Sequence, residues 1–139
     1  MPAATTTAPP EYRLLVSRQL NERLQIPTLR IILETEQSFA SFRYELSVEE
    51  QRDLNRLRFR ILGLRAPQIS LSGAGHASFM KEYDDLTGRC VITVVGLDGT
   101  ETTCAVHVDA HGIRLASRPS TPHVTLLLNH THKKERTKR

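Results

Sequence analysis

The chain has 139 residues, 39% hydrophobic and 24% charged, with aromatics at 5% and no Trp. That balance argues against a disordered segment and against a helical membrane protein, and the shortage of rings argues against a stacking platform for single strands. The net charge is +4, and residues 130–139, with five Lys/Arg and one Glu, carry all of it, so the rest of the chain sums to zero.

Residues 1–10 are Thr- and Pro-rich and read as an unstructured N-terminus. From Tyr12 to Leu24, apolar residues at 12, 15, 16, 20 and 24 fit an amphipathic helix ended by Pro27. Leu29–Leu33 is a short β-branched run, and Phe39–Leu46 alternates through Phe42, Tyr44 and Leu46; both read as strands. Ser47 followed by Glu50 forms a capping box, and Leu54, Leu57, Ile61 and Leu62 then make one stripe before Gly63. The spacing predicts a second helix over 48–62, with Arg52, Arg56 and Arg60 as a row on its solvated face. The remainder reads as strands at 68–72, 76–80, 90–97, 102–109, 112–116 and 123–128. Asp98-Gly99 signals a hairpin that pairs 90–97 with 102–109 antiparallel. The fold class expected is α+β, in three parts: the N-terminus, a domain over 11–129, and the basic tail over 130–139.

One short pattern occurs twice. Gly75-His76-Ala77-Ser78-Phe79 and Pro122-His123-Val124-Thr125-Leu126 each place an imidazole and a hydroxyl two residues apart, with apolar residues between and after. In a strand, residues i and i+2 share a face, so each motif would present His and hydroxyl together over an apolar back. Paired imidazoles can serve as general base and general acid, and hydroxyls can donate to phosphate oxygens. Spacing alone leaves open that both are ordinary strand histidines.

The doubled motif resembles the signature of the 2H phosphoesterase superfamily. The stretch 76–128 is most similar to the cyclic phosphodiesterase domain of plant- and fungal-type tRNA ligases, with Pro-His-Val-Thr-Leu at 122–126 and an Ala-centred strand at 104–108. The first motif departs from the commoner His-x-Thr by carrying Ser78. The resemblance implies two similar antiparallel lobes, flanked by helices, meeting at a cleft with one motif each. It also implies metal- and cofactor-independent opening of a 2′,3′-cyclic phosphate on an RNA end. His76 and His123 would be the catalytic pair and Ser78 and Thr125 would hold the phosphate. Lys81, Tyr83 and Arg118 flank the motifs as candidate RNA contacts.

The alternatives are a non-catalytic module that binds RNA ends, a 2H enzyme for 2′-5′ oligoadenylate or a small cyclic nucleotide, and an accessory domain in which the motifs are coincidental. The partner expected is RNA, with kinase or ligase modules in a larger protein and no membrane, and the chain is expected to act as a monomer. Cys90 and Cys104 and a start without signal-peptide character read as an intracellular protein with free thiols. His107, Asp109 and His111 have the look of a metal site but lack further ligands, and His130 and His132 lack apolar backing.

Overall fold

The computed structural model describes residues 11–21, 23, 25–39, 44–66, 75–109 and 112–130. They form nine strands: β1 Tyr12–Asn21, β2 Ile26–Phe39, β3 Glu45–Asp53, β4 Arg56–Arg65, β5 Gly75–Tyr83, β6 Gly88–Val95, β7 Glu101–Asp109, β8 Gly112–Ser117 and β9 Val124–His130. All belong to one sheet, in the order β8-β7-β6-β4-β3-β5-β2-β1-β9. The sheet curls until β8 and β9 touch, giving a nearly closed barrel around a single core. Neither the α+β class nor the two-lobed arrangement with flanking helices is what the chain adopts. No helix occurs among the described residues, and none is long and apolar enough to cross a membrane.

The helix expected from Tyr12 is strand β1. Tyr12, Leu14 and Val16 are buried at alternate positions, and they face Thr35, Leu33 and Ile31 of β2. The outer face of β1 is partly apolar too, because Leu15 lies level with Ile32 and Leu127 on the neighbouring strands. Apolar residues on both faces create the false helical period.

The helix expected over 48–62 is the β3–β4 hairpin. Leu57, Phe59 and Ile61 point into the core and are almost wholly buried, whereas Arg56 and Arg60 are exposed on the outer face. Leu54, placed on the inner stripe by the helical reading, is 82% exposed at the turn with φ 55°. Asn55 ties that turn to the start of β6 by donating through Nδ2 to the carbonyls of Thr87 and Arg89, at 2.7 and 3.2 Å. Ser47 and Gly63 do not cap a helix; they sit opposite each other beside a bulge in the β3–β4 ladder.

The alternating run 39–46 is split between the end of β2 and the start of β3; Phe42 lies outside the described residues, as do 1–10, the expected strand at 68–72, and the tail from 131. The hairpin at Asp98-Gly99 is present, pairing β6 with β7 antiparallel from Gly88↔Val108 to Val95↔Glu101. Gly99 has φ 87°, which favours glycine, and the Asp98 carboxylate accepts the Thr100 amide at 2.9 Å.

Three pairings are parallel: β1 with β9, β4 with β6, and β3 with β5. The last is a single bridge, Glu45↔Ser78, beyond which β3 and β5 separate. Side chains span the gap. The Tyr83 hydroxyl donates to Glu50, Lys81 reaches the same carboxylate at 3.7 Å, and the Arg52 guanidinium lies 5.5 Å from the Tyr83 ring centroid.

Candidate binding site at the mouth of the barrel

The first motif lies on β5 and the second straddles the start of β9, with His123 in the turn before it and Thr125 on the strand. Ala77 and Val124 are buried and Ser78 is exposed, so Ala77 and Ser78 lie on opposite faces of β5, whereas His123 precedes β9 and does not lie on the strand. The separation of the two motifs is the finding that matters. Ser78 is level with Glu34 on β2, Glu34 with Arg13 on β1, and Arg13 with Thr125 on β9. The two hydroxyls therefore stand three strand spacings apart, roughly 14 Å at ~4.8 Å per spacing, on the outward-curving face. An ion pair between Arg13 and Glu34 fills the space between them. The His76 backbone pairs with Ser38, at the same end of the sheet as His123. The strand order thus keeps apart the two hydroxyls that a single phosphate would need.

The environment of His123 is acidic. Its Nδ1 is 3.1 Å from a Glu11 carboxylate oxygen, and its carbonyl accepts the amides of Glu11 and Tyr12 at 2.9 and 3.1 Å. The Thr121 hydroxyl accepts the His123 amide at 3.2 Å. Asp98 is close enough to feel the imidazole, although its carboxyl is held below the usual range chiefly by the Thr100 amide. A carboxylate this close to the imidazole opposes a phosphate.

The candidate RNA contacts are dispersed. Tyr83 is 6% exposed, and burial followed by its bond to Glu50 pushes its hydroxyl pKa up, so the ring is core and no stacking platform. Lys81 is engaged by Glu50, and Arg118 lies exposed in the β8–β9 connection. Of the tempting metal set, Asp109 accepts the Gly112 amide at 3.1 Å and lies 3.9 Å from Arg114, while His111 falls outside the described residues.

The same end of the barrel holds a cavity of about 340 Å³. Tyr12, Leu46, Ile61, Leu64 and Leu97 supply its apolar walls, and Glu11, Glu36 and Gln37 its polar rim. Leu64 and Leu97 are 45% and 65% exposed, leaving one wall open to solvent. The Glu36 amide donates to the Glu11 carbonyl at 3.0 Å, which sets two acidic residues side by side across the β1–β2 edge. Adjacent like charges on paired strands are destabilising unless something offsets them. Of these two acids, His123 pairs with Glu11 and not Glu36 among the described contacts, and Arg65 at this end is held by Glu45 at 2.9 Å.

No family model, curated protein or solved structure matches the chain.

Barrel mouths are common seats for small ligands, and this one has the usual make-up of apolar walls with a few convergent polar groups. Sequence reasoning reached only its neighbour His123. Glu11 precedes the first strand, and Glu36-Gln37 closes a long one. None belongs to a motif, and only the β1–β2 register puts them at one rim.

Proposed function

We propose that this chain is a binding module, and that the barrel mouth takes a ligand with an apolar body and a cationic group, such as an arylalkyl amine or a basic side chain of a peptide. One observation carries the reading: an apolar-walled cavity of about 340 Å³ whose rim includes the acidic residues Glu11 and Glu36, hydrogen-bonded to each other through their backbones. The apolar walls would take the body of the ligand out of water, and the cation would offset the two like charges.

The test uses three fluorescent probes of one scaffold: dansylcadaverine, its neutral N-acetyl form, and the matching dansylaminocarboxylate. The cation is expected to bind on the order of tenfold more tightly than the carboxylate, and Glu36→Gln is expected to remove roughly a tenfold share of that preference. Equal binding of cation and anion, or an unchanged preference in the variant, would overturn the reading.

The cyclic phosphodiesterase reading has in its favour two matching motifs at one end of one sheet. Against it stand the three strand spacings and the carboxylates around His123. An oligoribonucleotide ending in a 2′,3′-cyclic phosphate, incubated in EDTA, is accordingly expected to remain unopened by the folded protein. Opening that is lost in both His76→Ala and His123→Ala, with folding intact, would reinstate the paired-histidine mechanism and displace the binding-module reading.

A further inference from the structure

Strand β9 stands at an edge of the sheet and is the least charged element of the fold. Of the nine described strands it alone carries no Asp, Glu, Lys or Arg. It pairs with β1 on one side, and no described strand is hydrogen-bonded to it on the other. Open sheet edges invite pairing with other chains, and proteins blunt them with charges, prolines or bulges. The edge at β8 follows that rule, with Arg114 and a register shift opposite Ala105 and Val106. β9 has no such device: Val124–His130 contains no Pro, and its register with β1 is unbroken.

β8 approaches β9 without filling this edge. Its Cα atoms come within 8 Å of β1 as well as of β9. Next-but-one strands of one sheet stand roughly 9.6 Å apart, two spacings of ~4.8 Å. β8 therefore lies behind β9 on the core side, where Ile113 joins the buried cluster of Leu14 and Val124. On the outer face an apolar row leads to the same edge. Met80 of β5 is level with Ile32 of β2, Ile32 with Leu15 of β1, and Leu15 with Leu127 of β9. Met80 and Leu127 are 55% and 43% exposed, and the two between them are half-buried. The rows on either side are polar but closed on themselves by the ion pairs Arg13–Glu34 and Arg30–Glu82.

We propose that β9 is the interface with a second copy of this chain, the two β9 edges pairing antiparallel about a twofold axis at Leu127. Charge and register choose the occupant. A twofold sets a strand against itself, so a charged edge meets its own charge, and an uncharged one does not. Centring the pair on Leu127 places Leu126 opposite Leu128 of the second copy, on the side that packs against the core. It also extends the outer apolar row across the junction, from Met80 of one copy to Met80 of the other. Apolar patches of this kind mark contact surfaces, and an isologous contact covers both copies at once. The surface is separate from the cavity at the mouth, which no residue of β9 lines.

The experiment is sedimentation velocity of the full chain across the micromolar range, with Leu127→Lys and Leu62→Lys beside the wild type and folding checked by circular dichroism. Both leucines are exposed on outer faces, so the fold should tolerate either lysine. The wild type is expected to dimerise. Leu127→Lys, which opposes two ammonium groups at the axis, should weaken the dimer on the order of tenfold or more, and Leu62→Lys should leave it unchanged. Residues directly opposed across an antiparallel pair have Cα atoms roughly 4.5–5.5 Å apart, within reach of a disulfide. Leu127→Cys is therefore expected to link two copies on mild oxidation and Leu62→Cys to leave them unlinked, since Cys90 and Cys104 are buried. A wild type that stays monomeric throughout, as the sequence led us to expect, would overturn the interface. So would a dimer that Leu127→Lys leaves intact and Leu127→Cys does not link. A monomer that binds a fluorescein-labelled peptide of alternating Thr and Val would overturn it in favour of a foreign strand at this edge.

Discussion

Replacing Phe59 by Ala is expected to cost about 3–5 kcal/mol, a large share of the stability of a domain this size. Phe59 is wholly buried, and its ring lies 5.8 Å from that of Phe79, centre to centre, at an angle of 58°. The two rings belong to strands on either side of the gap between β3 and β5, so the pair helps to hold the two halves of the sheet together. Thermal denaturation followed by circular dichroism should show the midpoint falling by roughly 10–15 °C. Leu54→Ala and Arg60→Ala, on exposed side chains of the same hairpin, should move it by little. The helical reading assigns the opposite order, because its stripe contains Leu54 and omits Phe59. A larger loss at Leu54 than at Phe59 would therefore refute the hairpin.

The second large effect is chemical. Cys90 and Cys104 are buried, 0% and 2% exposed, and burial alone pushes the Cys104 thiol up to about 12 from 9.0. The Cys90 thiol is raised as well, again chiefly by burial. A rise of three units leaves roughly a thousandfold less thiolate near pH 8 than in the unfolded chain, before access is considered. A thiol-specific disulfide reagent is thus expected to leave both residues untouched in the native protein and to titrate two thiols promptly in denaturant. Prompt reaction of either without denaturant would refute this packing.

The same burial makes the protein sensitive to alkali. The unfolded chain gives up these protons near pH 9 for the thiols and near pH 10 for Tyr83, while the folded chain keeps them to higher pH. The contribution is fully present below pH 9 and is lost as the pH climbs toward 12, at up to roughly 1.4 kcal/mol per pH unit for each group. Denaturant midpoints should fall across that range.

The β6–β7 hairpin could be read from the chain because everything that specifies it is local: an Asp-Gly pair between two runs rich in β-branched residues. The opposite facing of Ala77 and Ser78 was legible for the same reason. The helices were misread where a non-local demand takes over. Leu15 looks like part of a helical stripe only until Ile32 and Leu127 come alongside it, and Glu50 looks like a capping residue until Tyr83 arrives from another strand. The distance between the motifs depends on β2 and β1 lying between β5 and β9. No short segment encodes that order, which emerges only when the whole sheet assembles.

The parallel pairing of β1 with β9 also has a consequence for synthesis. Tyr12 finds Val124 across nearly the whole chain, so the sheet cannot be completed until both strands have left the ribosome. At ~5–20 residues per second, one edge of β1 waits on the order of ten seconds for its partner. During that interval Leu14 and Val16 lack the cover that β9 later gives, and a strand edge is open to other chains. Slowing translation should therefore increase aggregation of the nascent protein, and supplying a holding chaperone should relieve it.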